Sequence, residues 1–502
     1  MLGKAYSASV TGIRAELIEV EADISAGIPC FEMTGNLSGT AREARERVRT
    51  AIRNSGINLR PAKITVNLSP AQVRKDGTHY DLAVSAAVLC GAGVISQENL
   101  QDTVIMGELG LDGSVSPVNA ILPMVMQGAK AGFKRFIVPE GNRREAEYVE
   151  NVHVTGVKSL KECVEFLRTG HERAHDEKAD ENTDDLSERV GFDEIRGQQA
   201  LKRAMMIAAA AMHNILIIGP PGSGKSMSAS AITGIMPPLS RDEQLEISQI
   251  YSVAGMLSDS RSFVKDRPFR APHHSIGRAA LTGGGASPAP GEMSLAEHGV
   301  LFLDEFNLFS PQAVEALREP LECGHITINR LRTSVEYPAD FMLVAAMNPC
   351  KCGFYPDRTK CRCSSMDIER YFGRISRPIM DRIDMCIQAP RISYDDIAGR
   401  EDGKYTEGYM REKVREAAKI QRKRYKGESF SMNSRLLPKD IKRFCPMTGE
   451  ARDLLKCAFD KLGMSARSYY RTVRVARTIA DIEGAERIDE HHMAEAVGYR
   501  GR

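Results

Sequence analysis

The sequence predicts an α/β protein built around a mostly parallel sheet that is covered by helices on both faces. Between about residues 190 and 390, strands rich in Ile, Leu and Val alternate with helical segments, a pattern typical of such sheets. The clearest strands are 215–219 (ILIIG), 300–305 (VLFLDE) and 341–348 (FMLVAAMN). All three end in glycine or polar residues, and open α/β sheets bind their ligands at the carboxyl ends of strands. We therefore expect the functional site at that edge.

The segments on either side of this core predict two further domains. Residues 1–168 alternate between β segments and helices, among them strands at 15–24 and 62–69 and helices at 40–56 and 81–93, which indicates a compact α+β domain.

Residues 169–189 are poor in apolar side chains and rich in Asp, Glu and Lys, so we predict a flexible acidic linker there. The core then occupies 190–400. Residues 401–502 predict a small helical lid, because the apolar positions of 451–463 and 468–484 are spaced for burial on one side of a helix.

Composition is that of a soluble globular protein. The 502 residues are 42% hydrophobic and 27% charged, and the formal net charge is +2. Net charge therefore does not indicate nucleic-acid binding, but two local clusters would suit phosphate or equally a solvated helix face. They are the segment 411–427 (REKVREAAKIQRKRYKG) and four arginines at helical spacing, Arg467, Arg471, Arg474 and Arg477.

No targeting or membrane segment is predicted. The N-terminus carries charges throughout and lacks the apolar core of a secretory signal. The most apolar stretch, 204–219, is interrupted by His213 and Asn214 and falls short of the roughly 20 residues that cross a bilayer. We expect a cytoplasmic protein whose cysteines are mostly reduced.

A glycine-rich segment after the strand 215–219 has the spacing of a P-loop. Its glycines allow the backbone to turn tightly so that N–H groups and a helix N-terminus face phosphates. Lys225 would contact the β- and γ-phosphates of ATP, and the Ser226 hydroxyl would bind Mg²⁺. The predicted nucleotide-binding residues in this segment are Gly219, Pro220, Pro221, Gly222, Ser223, Gly224, Lys225 and Ser226.

The strand 300–305 ends in two carboxylates. Asp304 would hold the Mg²⁺ shell, and Glu305 would polarise the attacking water, a role that needs a carboxylate within hydrogen-bond reach of the nucleophile. The strand 341–348 ends in Asn348, whose amide would orient the water or contact the γ-phosphate. A solvated strand end is the alternative interpretation of Glu305.

Four cysteines follow Asn348 closely in a CxC…CxC pattern. Four thiolates in one short loop match a tetrahedral structural Zn²⁺ site, although the usual knuckle has two residues between its cysteines. Zinc and free or redox-active thiols are both open interpretations. The cysteines are Cys350, Cys352, Cys361 and Cys363.

These motifs together resemble the ComM/YifB family of magnesium-chelatase-like AAA+ ATPases, over essentially the whole chain. The segments that carry the resemblance are 61–84 (PAKITVNLSPAQVRKDGTHYDLAV), 219–226 (GPPGSGKS), 270–305 (RAPHHSIGRAALTGGGASPAPGEMSLAEHGVLFLDE), 346–353 (AMNPCKCG) and 467–484 (RSYYRTVRVARTIADIEG). The resemblance implies a homo-hexameric ring, a chelatase-type insert in the core and a helicase-like motor that drives branch migration of DNA during recombination.

The resemblance also implies roles for individual residues. Asn348 matches the sensor 1 position, and Arg382 in 378-PIMDRID-384 resembles the arginine finger inserted into a neighbouring subunit, with Arg374 and Arg377 as rivals. Arg467 resembles the sensor 2 arginine of the lid, with Arg471 as its competitor.

The N-terminal domain resembles the Lon protease domain, a ribosomal S5 domain 2-like fold, but lacks its catalytic pair. Aligned on the protease motifs, His79 stands at the serine position and Leu122 at the lysine position. Because a serine nucleophile needs both its hydroxyl and a base, we expect no peptide hydrolysis. His79 is interpreted as a packing or surface residue.

The resulting hypothesis is a ring-forming, ATP-driven DNA motor that contacts branched or single-stranded DNA mainly through phosphates. Candidate pore contacts are Arg330 and Arg332 in a predicted β-hairpin at 326–337, with Lys423 and Arg424 as weaker ones.

A metal or acid–base role for the adjacent His273 and His274 is not favoured, because neighbouring side chains point in different directions on most backbones. A loop facing the pore or the next subunit is preferred for them. The rival functions are a magnesium-chelatase-type motor subunit and an ATP-switched assembly or regulatory protein.

Overall fold

The computed structural model describes residues 2–171, 190–258, 261–285, 288–330, 333–392 and 403–500, without the side chains of Arg330 and Thr333. Most of the predicted linker, 172–189, lies outside the described residues. The chain forms two compact units. The first comprises Met1–Thr183 with Gln244–Lys265, and the second comprises Asp184–Glu243 with Asp266–Arg502.

The first unit is a mixed sheet with helices. Its strands are β1 (Leu2–Thr11), β2 (Arg14–Ser25), β3 (Cys30–Thr34), β4 (Lys63–Ser69), β5 (Thr103–Ile105), β6 (Glu108–Leu109), β7 (Val115–Ser116), β8 (Arg135–Pro139) and β9 (His153–Val157). Its helices are α1 (Gly39–Asn54), α2 (Asp81–Gly91), α3 (Ile121–Lys130), α4 (Arg143–Ala146) and α5 (Leu160–Thr169). The seven-stranded sheet has the order β3-β4-β2-β1-β5-β8-β9.

Local sequence explains the main elements of this unit. Ser38 caps α1 by accepting a hydrogen bond from the Ala41 N–H at 3.2 Å, and the helix buries one face. Every residue of α2 is buried, which its apolar sequence DLAVSAAVLCG permits. The strands predicted at 15–24 and 62–69 and the helices at 40–56 and 81–93 are confirmed.

The second unit contains the predicted parallel sheet. Its strands are β10 (Ile215–Ile218), β11 (Phe269–Arg270), β12 (Gly283–Gly284), β13 (Ala289–Pro290), β14 (Val300–Leu303), β15 (His325–Arg330), β16 (Thr333–Pro338), β17 (Met342–Met347) and β18 (Met385–Gln388). The five-stranded sheet has the order β11-β14-β17-β10-β18, and each adjacent pair is parallel.

The helices of this part of the chain follow the predicted alternation. They are α6 (Gln199–Ala211), α7 (Lys225–Ala231), α8 (Arg241–Val253), α9 (Arg278–Thr282), α10 (Glu292–Leu295), α11 (Pro311–Ala316), α12 (Arg318–Cys323), α13 (Ser365–Phe372) and α14 (Arg377–Met380). Most of α8 belongs to the first unit, although its sequence falls within the range 190–400 assigned to the core. The predicted hairpin is confirmed as β15 and β16.

The C-terminal segment is helical, as predicted. Its helices are α15 (Glu407–Arg424), α16 (Ile441–Phe444), α17 (Gly449–Leu462), α18 (Ala466–Ile482) and α19 (Glu490–Gly498). They share one apolar core with α6 and the sheet. Within the described ranges, no helix is both long enough and apolar enough to span a membrane.

A buried polar contact also joins α18 to the sheet. His213, in the turn before β10, lies 2.8 Å from the Thr478 hydroxyl and 3.5 Å from the Asp384 carboxylate. Hydrogen bonding and charge from His213 hold the pKa of Asp384 at about 2, although burial alone would raise it. His213, which interrupts the apolar stretch 204–219 in the sequence, is thus a buried residue that connects α18 to the sheet.

Candidate functional site

The glycine turn, residues 219–226, joins β10 to α7 at the carboxyl edge of the parallel sheet. The Gly219 N–H donates to the Met347 carbonyl at 3.1 Å, which ties the turn to the end of β17. A Cβ on Gly219 would lie 2.7 Å from the Ala389 carbonyl oxygen, so a larger residue would displace the backbone. Gly222 and Gly224 have φ angles of +75° and +79°, which glycine adopts without strain.

Lys225 lies where the turn meets the end of β17. Its ammonium donates to the carbonyl oxygens of Gly219 at 2.8 Å and Pro220 at 2.9 Å, and to the Asn348 side-chain oxygen at 3.3 Å. Burial lowers the pKa of Lys225, although Asp304 and Glu305 act in the opposite direction. A partly desolvated ammonium close to two carboxylates is suited to bind phosphate oxygens.

Ser226 and Asp304 are brought together from α7 and the end of β14. The Ser226 hydroxyl donates to the Asp304 carboxylate at 2.7 Å. Both side chains offer oxygen atoms, the ligand type that Mg²⁺ prefers, and the Asp304 carboxylate is anionic. The pair therefore fits a magnesium ion that is also coordinated by phosphate and water.

Glu305 adopts a strained backbone conformation at the same edge. Its φ is +50°, in the left-handed region that is uncommon for residues with a side chain and that clusters at functional sites. Its carboxylate lies 3.3 Å from His274 Nδ1, and 52% of the side chain is exposed. The strained turn thus carries an accessible carboxylate at this edge of the sheet.

His274 is a residue beside the acid pair that sequence reasoning did not assign to this site. The two histidines were expected to point in different directions, but their rings pack together with centroids 4.0 Å apart. Their polar partners differ: His273 Nδ1 lies 2.8 Å from the Ser275 hydroxyl, whereas His274 Nδ1 lies 3.3 Å from the Glu305 carboxylate. The position of the two histidines in the sequence could have indicated this contact, because they follow β11, a strand of the same parallel sheet. The structure thus places His274 beside the acid pair, and the expected loop facing the pore or the next subunit stays a prediction.

Arg382 and Arg467, the predicted finger and sensor 2, converge on one carboxylate. Arg382 is 8% exposed, donates to the Pro378 carbonyl at 2.7 Å and forms an ion pair with Glu322. Arg467 is far more accessible, with 58% of its side chain exposed, and lies 3.4 Å from the other oxygen of Glu322. Both arginines lower the pKa of Glu322, Arg382 the more strongly.

The rival arginines behave differently. Arg374 and Arg377 are exposed. Arg471, the competitor for sensor 2, is 13% exposed and donates to the carbonyls of Met380, at 3.0 Å, and Ile383. Arg471 is therefore committed to holding the backbone after α14.

The interpretation of the α18 arginines as a phosphate-facing cluster is wrong for most of its members. Arg477 is fully buried against Asp481, and Arg474 donates to the Ser434 carbonyl at 2.6 Å. Arg424 likewise pairs with Asp481 in place of facing solvent. An acid four residues after Arg477 was the sequence signal for an internal pair.

The remaining candidate contacts with DNA are less defined. Lys423 is exposed. The side chain of Arg330 and all of Arg332 lie outside the described residues.

The four cysteines, hereafter the cysteine cluster (Cys350, Cys352, Cys361 and Cys363), are brought together. Their sulfur atoms all lie within 4.8 Å of one another. A hydrogen bond from the Phe354 N–H lowers the pKa of Cys352 to about 6, whereas burial raises the pKa of Cys361 to about 11. None of the four forms a disulfide.

The positions aligned with the protease pair are internal to the first unit. His79 is partly buried with its Nε2 atom sealed from solvent, and desolvation lowers its pKa to about 4. Leu122 is fully buried, and its N–H donates to the Glu145 carboxylate at 3.0 Å. His79 is thus mainly a packing residue, one of the two interpretations made for it.

Comparison with known proteins covers nearly the whole chain. Residues 191–397 match the family described as "Magnesium chelatase, subunit ChlI", residues 20–142 match "Subunit ChlI of Mg-chelatase", and residues 406–500 match the C-terminal family of the same subunit.

Full-length relatives are also found. "Competence protein ComM" of Haemophilus influenzae is 38% identical over 99% of this chain and 96% of its own length. The protein YifB of Escherichia coli is 37% identical with the same coverage. The magnesium-chelatase 38 kDa subunit of Cereibacter sphaeroides is more distant, at 26% identity over 32% of this chain and 52% of its own length.

A parallel sheet whose glycine turn, lysine and acid pair meet at one edge defines the class of P-loop ATP-binding proteins. Within that class, the chain belongs to the ComM/YifB family of magnesium-chelatase-like proteins. This membership suggests ATPase activity.

Proposed function

We propose that this protein hydrolyses ATP at the edge of the parallel sheet and uses the energy to move along or remodel DNA. The observation that carries the ATPase proposal is the convergence of three separate segments: Lys225 and Ser226, the acid pair Asp304 and Glu305, and Asn348. Sequence placed these residues at strand ends, and the contacts between them support a shared phosphate site.

Each side chain has a distinct task in this proposal. Lys225 leaves the carbonyls of the glycine turn to bind the β- and γ-phosphates, and Asn348 holds the γ-phosphate or the attacking water. Glu305 accepts the proton of that water, and His274 orients its carboxylate. Mg²⁺ held by Ser226 and Asp304 would neutralise charge that develops on the phosphates.

Arg382 is proposed to act as a finger on the ATP of a neighbouring copy, and Arg467 as the sensor 2 arginine of the lid. Their shared partner Glu322 is exposed on one side, with 49% of its side chain accessible, so phosphate oxygens can replace it. An arginine supplied in this way is worth about 10³–10⁵ in rate where it has been measured. A closed ring, which we propose to be a homo-hexamer, provides each site with such a neighbour.

DNA is the proposed substrate of the motor, with branch migration of recombination intermediates as the specific action. Support comes from 38% identity over the whole chain to a protein named for competence. Contacts are proposed to be mainly to phosphates of branched or single-stranded DNA in the cytoplasm. We also propose the predicted domain boundaries: a Lon-like N-terminal domain at 1–168, an acidic linker at 169–189, the ATPase core at 190–400 and the helical lid at 401–502.

A magnesium-chelatase-type motor subunit is the second candidate. The relatives named as chelatase subunits match about a third of the chain, at 26–27% identity. An ATP-switched assembly or regulatory protein is the third candidate, and the accessible Glu305 disfavours it because a protein that only binds ATP does not need a carboxylate to polarise water.

The proposal is tested by measuring ATP hydrolysis with no DNA, linear duplex, single strand and a four-way junction, at stated salt because phosphate contacts are salt-sensitive. We expect stimulation by DNA, greatest with the junction. Lys225→Ala is the matched inactive control. Equal rates in all four conditions would contradict the motor, and retained turnover in Glu305→Gln would place the general base elsewhere.

A further inference from the structure

The loop that carries the cysteine cluster begins where the nucleotide site ends. Met347 closes β17 and accepts the Gly219 N–H, Asn348 contacts Lys225, and Cys350 follows two residues later. The first thiol is thus separated from the phosphate site by a single residue.

The sulfur atoms are arranged as metal ligands would be. Tetrahedral zinc with Zn–S bonds of about 2.3 Å places its sulfurs about 3.8 Å apart. The distances are 3.3 Å between Cys350 and Cys352, 3.7 Å between Cys350 and Cys361, and 3.6 Å between Cys352 and Cys361. Each of these three sulfurs contacts two others, whereas paired disulfides would give each sulfur one close partner.

Neighbouring groups donate hydrogen bonds to the Cys350 sulfur and to the backbone of the surrounding loop. The Tyr355 N–H lies 3.4 Å from the Cys350 sulfur, and Arg358 donates to the Cys363 carbonyl at 3.1 Å. Cys350 and Cys361 are buried with Ile368, while Cys352 and Cys363 are partly accessible. Hydrogen-bonded thiolates on a closed loop are typical of structural zinc sites.

The same loop packs against the glycine turn. Gly353 has a φ of +81°, and a Cβ placed on it would lie 2.9 Å from Cδ of Pro221. The Gly353 N–H donates to the Cys350 carbonyl at 3.0 Å, so the position of this close contact depends on the cysteine loop.

We propose that the cysteine cluster binds one Zn²⁺ ion and that the loop it closes braces the glycine turn through Pro221. The ion is structural, because four thiolates fill a tetrahedral shell and leave no position for a reacting group. The bracing half of the proposal rests on the proposed nucleotide site, whereas the metal half stands independently of it.

The metal is tested first, on the full-length chain expressed with zinc in the medium. Wild type and Cys457→Ser, which alters an exposed cysteine outside the cluster, should each carry about one zinc per chain. Cys361→Ser should carry less than about a tenth of that. Should that variant fail to fold, Co²⁺ is exchanged into wild type, and the absorption spectrum of a tetrahedral thiolate site is expected. Zinc-free wild type with no cobalt spectrum overturns the site.

The brace is tested by titrating a fluorescent ATP analogue. Gly353→Ala should keep its zinc but bind nucleotide about tenfold more weakly, a change of about 1.4 kcal/mol. Gly427→Ala is the matched control, because its φ of +91° imposes the same backbone strain and a Cβ there meets no atom within 4 Å. Removal of zinc from wild type by a chelator should weaken binding to the same degree.

The outcomes separate the two proposals. Zinc present with nucleotide affinity unchanged in Gly353→Ala and after chelation overturns the brace and leaves the ATP site intact. Zinc present with no nucleotide binding by wild type overturns the proposed function and leaves the metal site intact.

Discussion

Replacing His274 tests whether the contact with Glu305 serves catalysis. The two side chains are 3.3 Å apart and are 32% and 52% exposed, so solvent screens their interaction. Polar contacts of this exposure contribute about 1 kcal/mol or less. If all of that energy orients Glu305 in the transition state, His274→Ala lowers kcat about fivefold and leaves KM unchanged.

The assay is steady-state ATP hydrolysis with wild type, His274→Ala and the matched variant His273→Ala. His273 packs on the His274 ring, with centroids 4.0 Å apart, but its polar partner is Ser275. His273→Ala therefore removes the ring packing while the contact between His274 and Glu305 stays, and the rate should remain within twofold. Glu305→Gln should lower kcat by about 10²–10⁴, the contribution of a general base. In the double variant, loss of His274 should have no further effect, because the carboxylate it orients is gone.

Two results would refute the reasoning. Equal losses in His273→Ala and His274→Ala would mean that the loop as a whole matters and that the contact does not. A fivefold loss from His274→Ala that persists in the Glu305→Gln background would show that the histidine acts through another group.

Three other perturbations probe separate parts of the molecule. Arg382→Ala should fold and bind ATP, but its ATP turnover should fall by about 10³ or more. In rings that mix wild-type and variant subunits, the share of activity lost should exceed the share of variant subunits. Normal turnover in such mixed rings would refute the role of Arg382 as a finger. Gly219→Ala places a Cβ 2.7 Å from the Ala389 oxygen, and strain of about 1–3 kcal/mol should weaken nucleotide binding at least fivefold in a titration. The lowered folded-state pKa of His79, about 4 against 6.5, means that protons favour the unfolded chain. The contribution of neutral His79 to the free energy of unfolding is therefore complete above pH 6.5. Chemical denaturation should show that this free energy falls by about 2 kcal/mol from pH 7 to pH 5, and His79→Gln should reduce the loss. The same pH dependence in the variant would contradict this.

Sequence predicted the parts of the site that depend on local pattern. A strand followed by a glycine turn, or by two acids, is recognised from spacing, so Lys225, Ser226, Asp304 and Asn348 were predicted to share one site. The structure brings them into contact as two pairs, Lys225 with Asn348 and Ser226 with Asp304. Their mutual contacts follow from the order of parallel strands, since β17 lies between β10 and β14.

Contacts between distant segments were not predictable in the same way. His274 and Glu305 are 31 positions apart and meet because β11 and β14 are neighbours, which spacing does not reveal. The α18 arginines were misread for the same reason: a basic residue on a helix meets phosphate or an internal acid according to which element packs on it. Arg477 is fully buried at Asp481.

The end of β17 connects these observations into one physical argument. A phosphate site must hold its groups to within about half an ångström, and a glycine-rich turn has little rigidity of its own. Here the turn is held at Gly219 by the Met347 carbonyl and at Lys225 by Asn348, and Pro221 lies so close to Gly353 that a Cβ there would be 2.9 Å from the proline ring. All three supports come from residues 347–353 of one strand end and loop. Any change that loosens this short segment, including loss of an ion from the cysteine cluster, should therefore act on nucleotide affinity before it acts on the stability of the sheet.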